Sequence, residues 1–119
     1  MPNFDRLVGD YLVAAAEQAA RMKALALQAG PGELGTLRLL AHRLRGSGLS
    51  FGFPDITRVA GRIEDLLVED LAAGRVSTGP LAGLCDDLGD AVARARRTDG
   101  GFPDAGPEPD DEEPRASRA

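Results

Sequence analysis

Residues 41–66, AHRLRGSGLSFGFPDITRVAGRIEDL, carry two helical periods separated by a break, and that break decides the fold. Leading into it, Leu34, Leu37, Ala41, Leu44 and Gly48 recur at the three- and four-residue steps that put side chains on one helical face. The stripe runs out at Phe51-Gly52-Phe53. Pro54, with its fixed φ and no N–H to satisfy, then suits the first turn of a second helix. On that helix Ile56, Val59, Ala60, Ile63, Leu66, Leu67 and Leu71 are expected inward. So short a connection folds the two helices back antiparallel.

The same period continues outward in both directions. Upstream, Phe4, Leu7, Val8, Tyr11, Leu12, Ala15, Ala19 and Met22 form a stripe, with Asn3 expected as its cap and Gly30-Pro31-Gly32 as its end. Downstream, Gly74 closes the hairpin's second helix, and Thr78-Gly79-Pro80 opens another with Leu81, Leu84, Cys85, Leu88, Val92 and Ala95 inward. Aromatic residues are 4% of the chain and tryptophan is absent, while alanine, leucine and arginine abound, which favours helices over a sheet. The expectation is an all-α protein, an antiparallel up-down four-helix bundle over residues 1–98. Fold alone says nothing of function.

Charge divides the 119 residues in the same place. The net charge is −5, and residues 99–119 account for it, with seven acids against Arg115 and Arg118. That segment, rich in proline, glycine and acid, reads as a disordered tail. Residues 1–98 hold twelve acids and twelve bases, so the domain has no basic field to attract nucleic acid. The lone Cys85 cannot form an internal disulfide, and without CxxC or Cys/His clusters no metal site is expected. No leader opens the chain, and no apolar run approaches the roughly 20 residues that span a bilayer. A cytoplasmic monomer without a membrane partner is expected.

His42 is the only histidine. At about 100° per residue, Arg38, His42, Arg45 and Gly46 share one strip beside the core stripe, which leaves the imidazole at the border of the packed face. Arg38 and Arg45 stand one turn to either side and can offer cationic donors to a group bound at the ring. Gly46 removes the neighbouring side chain. Gly46 and Gly48 bracket Ser47, and each glycine inside a helix costs about 1 kcal/mol against alanine. Clearance for an approaching partner is the simplest compensation.

Folding back about Phe53 brings Glu64 level with His42. A carboxylate there can accept the Nδ1–H, fix the tautomer and leave Nε2 as an exposed nucleophile. Asp55, Asp65 and Asp70 read as helix-start and surface charges. Taken singly, each residue has a plainer explanation: a boundary histidine, solvated arginines, a Glu64–arginine pair, a Gly61 that lets helices approach. Their coincidence around one ring is what marks the site.

These residues resemble the signature of histidine-containing phosphotransfer (HPt) domains, which runs His, any residue, Leu, Lys or Arg, Gly, Ser. The resemblance is close over residues 41–66, and the helical plan extends it to about 1–98. It implies a four-helix bundle that carries a phosphoryl group on histidine in two-component relays. It also implies that His42 is phosphorylated, that Arg45 is the basic neighbour, and that Gly46 and Ser47 fill the clearance and hydroxyl positions. Glu64 falls where chemotaxis-type histidine kinases place their histidine-orienting glutamate. The implied partners are a histidine kinase and a response-regulator receiver domain, whose acidic pocket would supply Mg2+. The chain has neither GxxxxGK[ST] nor a kinase-type glycine loop, so no nucleotide site or cofactor of its own is expected. The expected role is a phosphocarrier, not an enzyme. Two alternatives stay open: a detached substrate domain of a chemotaxis-like kinase, and a helical interaction module that is not phosphorylated.

Overall fold

A computed structural model describes residues 2–100 of the chain, and the acidic tail expected from residue 99 lies almost wholly outside the described residues. Four helices follow one another: α1 (Pro2–Gln28), α2 (Leu34–Phe51), α3 (Pro54–Ala73) and α4 (Thr78–Gly100). A single 3-10 turn, Pro31–Glu33, precedes α2, and Glu33 Oε1 accepts the Gly30 N–H. Tyr11 of α1 meets Ser47 of α2, and Lys23 of α1 pairs with Asp86 of α4. These contacts set the helices in up-down order, with α1 between α2 and α4 and α3 completing the square.

Glycine makes two of the three reversals between the described helices. Gly52 (φ 85°) ends α2 and Gly74 (φ 66°) ends α3, each in the left-handed region that a Cβ disfavours. Between them Pro54 opens α3, as its lack of an N–H allows. The Phe53 N–H donates to the Gly48 carbonyl at 2.7 Å, which closes the α2 end of the hairpin.

One core runs through all four helices. Met22, Leu37, Ile56, Ile63, Leu67, Leu81 and Leu88 have no exposed surface, and burying each such side chain is worth about 1.5–3 kcal/mol. Leu40, absent from the expected α2 stripe, is buried as well. Phe4 and Leu7 were expected inward and stand exposed, because Tyr11 is already level with the hairpin rings of Phe51 and Phe53. The first turns of α1 therefore run past the hairpin. Leu71, in the last turn of α3 beside the buried Asp70, was also expected inward and is exposed. Asn3 lies within α1 and does not precede it as a cap.

Asp70 departs furthest from its reading as a surface charge. It is fully buried and takes three hydrogen bonds from the α3–α4 connection: Arg75 Nε at 3.0 Å, the Ser77 N–H at 2.8 Å and Ser77 Oγ at 2.8 Å. The loop closes over the carboxylate because its own backbone needs acceptors there. Asp55 and Asp65 are exposed, Asp55 in the first turn of α3 beside Arg58.

Candidate functional site

The α2–α3 hairpin register sets Glu64 beside His42, with Glu64 Oε2 at 2.9 Å from His42 Nδ1. The two partners differ in exposure. The imidazole is 68% exposed and the carboxylate 8%. His42 thus stands further out than the core border assigned to it from the helical wheel, while Glu64 is anchored within the packed seam. A buried acceptor holding Nδ1 turns Nε2 away from the protein.

Arg45 donates from Nη1 to the second carboxylate oxygen, Oε1, at 3.2 Å, and Arg38 Nε lies 4.0 Å from Oε2. One carboxylate therefore gathers the imidazole and both arginines that flank it on α2. Burial raises the Glu64 carboxyl, but the hydrogen bonds from His42 and Arg45, with their charges, outweigh it and hold the group below its ordinary value. Glu64 is an anion at neutral pH and an acceptor only, so the hydrogen it binds is on Nδ1.

The two glycines of the Gly-Ser-Gly run have separate reasons. A Cβ on Gly46 would meet nothing within 4 Å, so nothing in this chain requires a bare backbone there. On Gly48 it would lie 2.6 Å from Thr57 Oγ1, 3.0 Å from the Thr57 nitrogen and 3.2 Å from Ile56 Cγ2. Gly48 is consumed by close packing of α2 on the start of α3. Clearance at the ring is therefore left to Gly46 alone.

Ser47 turns away from the imidazole. Its hydroxyl donates to Tyr11 Oη at 2.9 Å, tying α2 to α1, and the Tyr11 ring stacks on Phe51 with centroids 4.4 Å apart. The structure thus gathers His42, Glu64, Arg45 and Arg38, keeps Gly46 open next to them, and uses Ser47 as a brace. Cys85, the other side chain with nucleophilic chemistry, is buried at the far side of the bundle, and burial pushes its thiol up to about 11.

Three features escaped the sequence. Thr57 Oγ1 donates to the Arg45 carbonyl at 2.8 Å and fills the gap left by Gly48. Its signal was the hairpin register, which sets position 57 opposite position 48. Leu39 and Leu49, 48% and 71% exposed, share the outward face of α2 with His42. Apolar residues off the core stripe of a helix were the available signal. A groove of about 160 Å³ between α1 and α2, lined in part by Tyr11, Ala14, Gln18 and Arg43, borders that face. Among the described residues no three His, Cys, Asp or Glu side chains gather to hold a metal ion, and no helix is long and apolar enough to cross a membrane.

The geometry is that of an up-down bundle on which a buried carboxylate holds an exposed histidine through Nδ1. A family model described as Hpt domain matches residues 6–98, which span the four helices. The chain belongs to the Hpt domain family and has a histidine phosphotransfer role in two-component signalling. Members of this family are phosphotransfer carriers, working with histidine kinases and response regulators. Neither a search of curated proteins nor one of solved structures finds a match.

Proposed function

We propose that the chain is a phosphorelay carrier that exchanges a phosphoryl group between His42 and an aspartate of a response-regulator receiver domain. The observation that carries this reading is the His42–Glu64 pair, with Nδ1 occupied and the rest of the ring open to solvent. In the forward step the Nε2 lone pair attacks phosphorus of the aspartyl phosphate in line, the P–O bond breaks, and the aspartate leaves as carboxylate. The proton stays on Nδ1, where Glu64 offsets the positive charge that develops on the ring. Transfer back to a receiver is the same step reversed.

On this reading the magnesium ion and most of the charge stabilisation belong to the receiver's acidic pocket, and His42 is a positioned nucleophile. Leu39 and Leu49 on either side of the ring, with the α1–α2 groove next to them, supply apolar surface for docking. Arg38 and Arg45 provide the positive charge that a phosphoryl group requires. The carrier works as a monomer in the cytoplasm.

The glutamate pairing also favours a second reading, a detached substrate domain phosphorylated from ATP by a separate chemotaxis-like kinase core. Incubation with a phosphorylated receiver, then separately with a kinase core and ATP, tells them apart. Label reaching His42 from the receiver supports the relay, and label from the kinase core alone supports the second reading. No label from either source would leave an interaction module.

A further inference from the structure

We propose that Gly61 is a positioning residue of the His42 site: its missing side chain forms the seat in which Arg45 lies across α3 to reach Glu64. The inference rests on reading His42 as the phosphorylated residue. Gly61 stands three residues before Glu64, one turn away on the same face of α3. A Cβ built on it would lie 3.5 Å from Arg45 Nε, 3.7 Å from Cδ and 3.8 Å from Cζ. These three nearest atoms all belong to one side chain.

Gly48 provides the contrast. There the nearest atoms include the Thr57 backbone nitrogen, as expected where two helices are in close approach. At Gly61 the neighbour is the stem of a guanidinium, so the bare backbone serves a side chain and not a helix crossing. Glycine in the interior of a helix lowers its propensity. α3 accepts that weakness at a place where the Arg45 side chain is what occupies the space.

The consequence runs through Glu64. With Arg45 Nη1 on Oε1 and His42 Nδ1 on Oε2, both oxygens are claimed and the carboxylate plane is set. A long side chain at position 61 occupies the path of Arg45, which is already half exposed and can swing into solvent. Oε1 then loses its donor, the carboxylate rotates more freely, and Nδ1 is held less firmly. A methyl group makes only ordinary van der Waals contact at these distances, so the disturbance should grow with side-chain length.

Full-length Gly61→Ala and Gly61→Leu proteins test this, alongside Arg45→Ala and the Arg45→Ala/Gly61→Leu double variant. Nitrogen-detected NMR of the single imidazole above neutral pH reads the share of the Nδ1–H tautomer. Phosphoramidate, a small donor that needs no partner protein, reads the rate of His42 phosphorylation. Both substitutions at 61 raise helix propensity, so the unfolding midpoint should hold or rise. In Gly61→Leu the Nδ1–H share should fall and phosphorylation should slow by about fivefold or more, with a smaller loss in Gly61→Ala. The double variant should be no slower than Arg45→Ala, because both changes act through one contact. A Gly61→Leu protein with the parental tautomer and rate overturns the proposal. If the parent itself takes no phosphoryl group on His42, the carrier reading fails, and the tautomer alone then decides for or against Gly61.

Discussion

His42 Nδ1 and Glu64 Oε2 lie 2.9 Å apart across the α2–α3 seam, the first on an exposed ring and the second on a buried carboxylate. The asymmetry separates two tasks. Glu64 is fixed by packing and by Arg45, while the ring it holds stays accessible to another protein. Replacing Glu64 by alanine should lower the share of the Nδ1–H tautomer and slow phosphorylation by about 10- to 100-fold, since orientation counts most in the transition state. Binding to a receiver should change much less. Equal tautomer populations in parent and Glu64→Ala would show that the contact does not govern the ring.

Because His42 is the only histidine, His42→Gln should abolish all acid-labile, alkali-stable phosphorylation. The ring is 68% exposed, so helical content and the unfolding midpoint should stay near those of the parent. Circular dichroism and a phosphate-label assay on the same preparation check both halves. Label surviving in the variant moves the site elsewhere.

The two glycines on either side of Ser47 should respond in opposite directions. Gly46→Gln meets open space and gains helix propensity, so stability should rise by about 0.5–1 kcal/mol while transfer from a receiver slows. Gly48→Ala drives a methyl group into Thr57 and Ile56, and overpacking of about 1–3 kcal/mol should exceed the gain in propensity. At roughly 4–8 °C per kcal/mol for a domain of this size, thermal melts resolve both signs. A stabilised Gly48→Ala protein would mean that α2 and α3 move apart freely at their tightest crossing.

The hairpin was legible because two periodicities meet at a glycine and a proline, and a register follows once the turn is fixed. That register is sufficient to bring Glu64 to His42. It does not say which glycine is packed and which is open, since that depends on what stands opposite, here Thr57 for Gly48 and empty space for Gly46. Nor does a helical wheel know where neighbouring helices stop, so Phe4 and Leu7 were drawn inward at an end where they stand exposed. Arg38 and Arg45 read as donors for a bound group and prove to be joined to Glu64 as well, because one buried carboxylate sits within reach of both. Asp70 was illegible for a related reason. Its burial is created by a loop that folds over it, and no periodic pattern records loops.

That loop gives the last prediction. Asp70 collects Arg75 and both polar hydrogens of Ser77, and its backbone carbonyl accepts the N–H of Arg75 at 3.1 Å. Burial raises its carboxyl, yet the Ser77 backbone and side-chain bonds and the Arg75 contact hold it below the ordinary carboxylate value. A carboxyl depressed in the folded state stabilises fully above the unfolded value, near pH 4, and the contribution is lost as pH falls through the lower folded value. Asp70→Asn should therefore cost about 2–3 kcal/mol at pH 7, with the deficit shrinking as the pH is taken below about 4. Glu64 titrates with the same sign but is present in both proteins, so the difference between their melting curves isolates Asp70. Below its melting temperature Asp70→Asn should keep the parental His42 tautomer, since the loop is at the far end of α3 from the Pro54 hairpin and makes no contact with Glu64. A deficit that stays constant from pH 7 to pH 2 would mean that the ionised carboxylate is not what closes the loop.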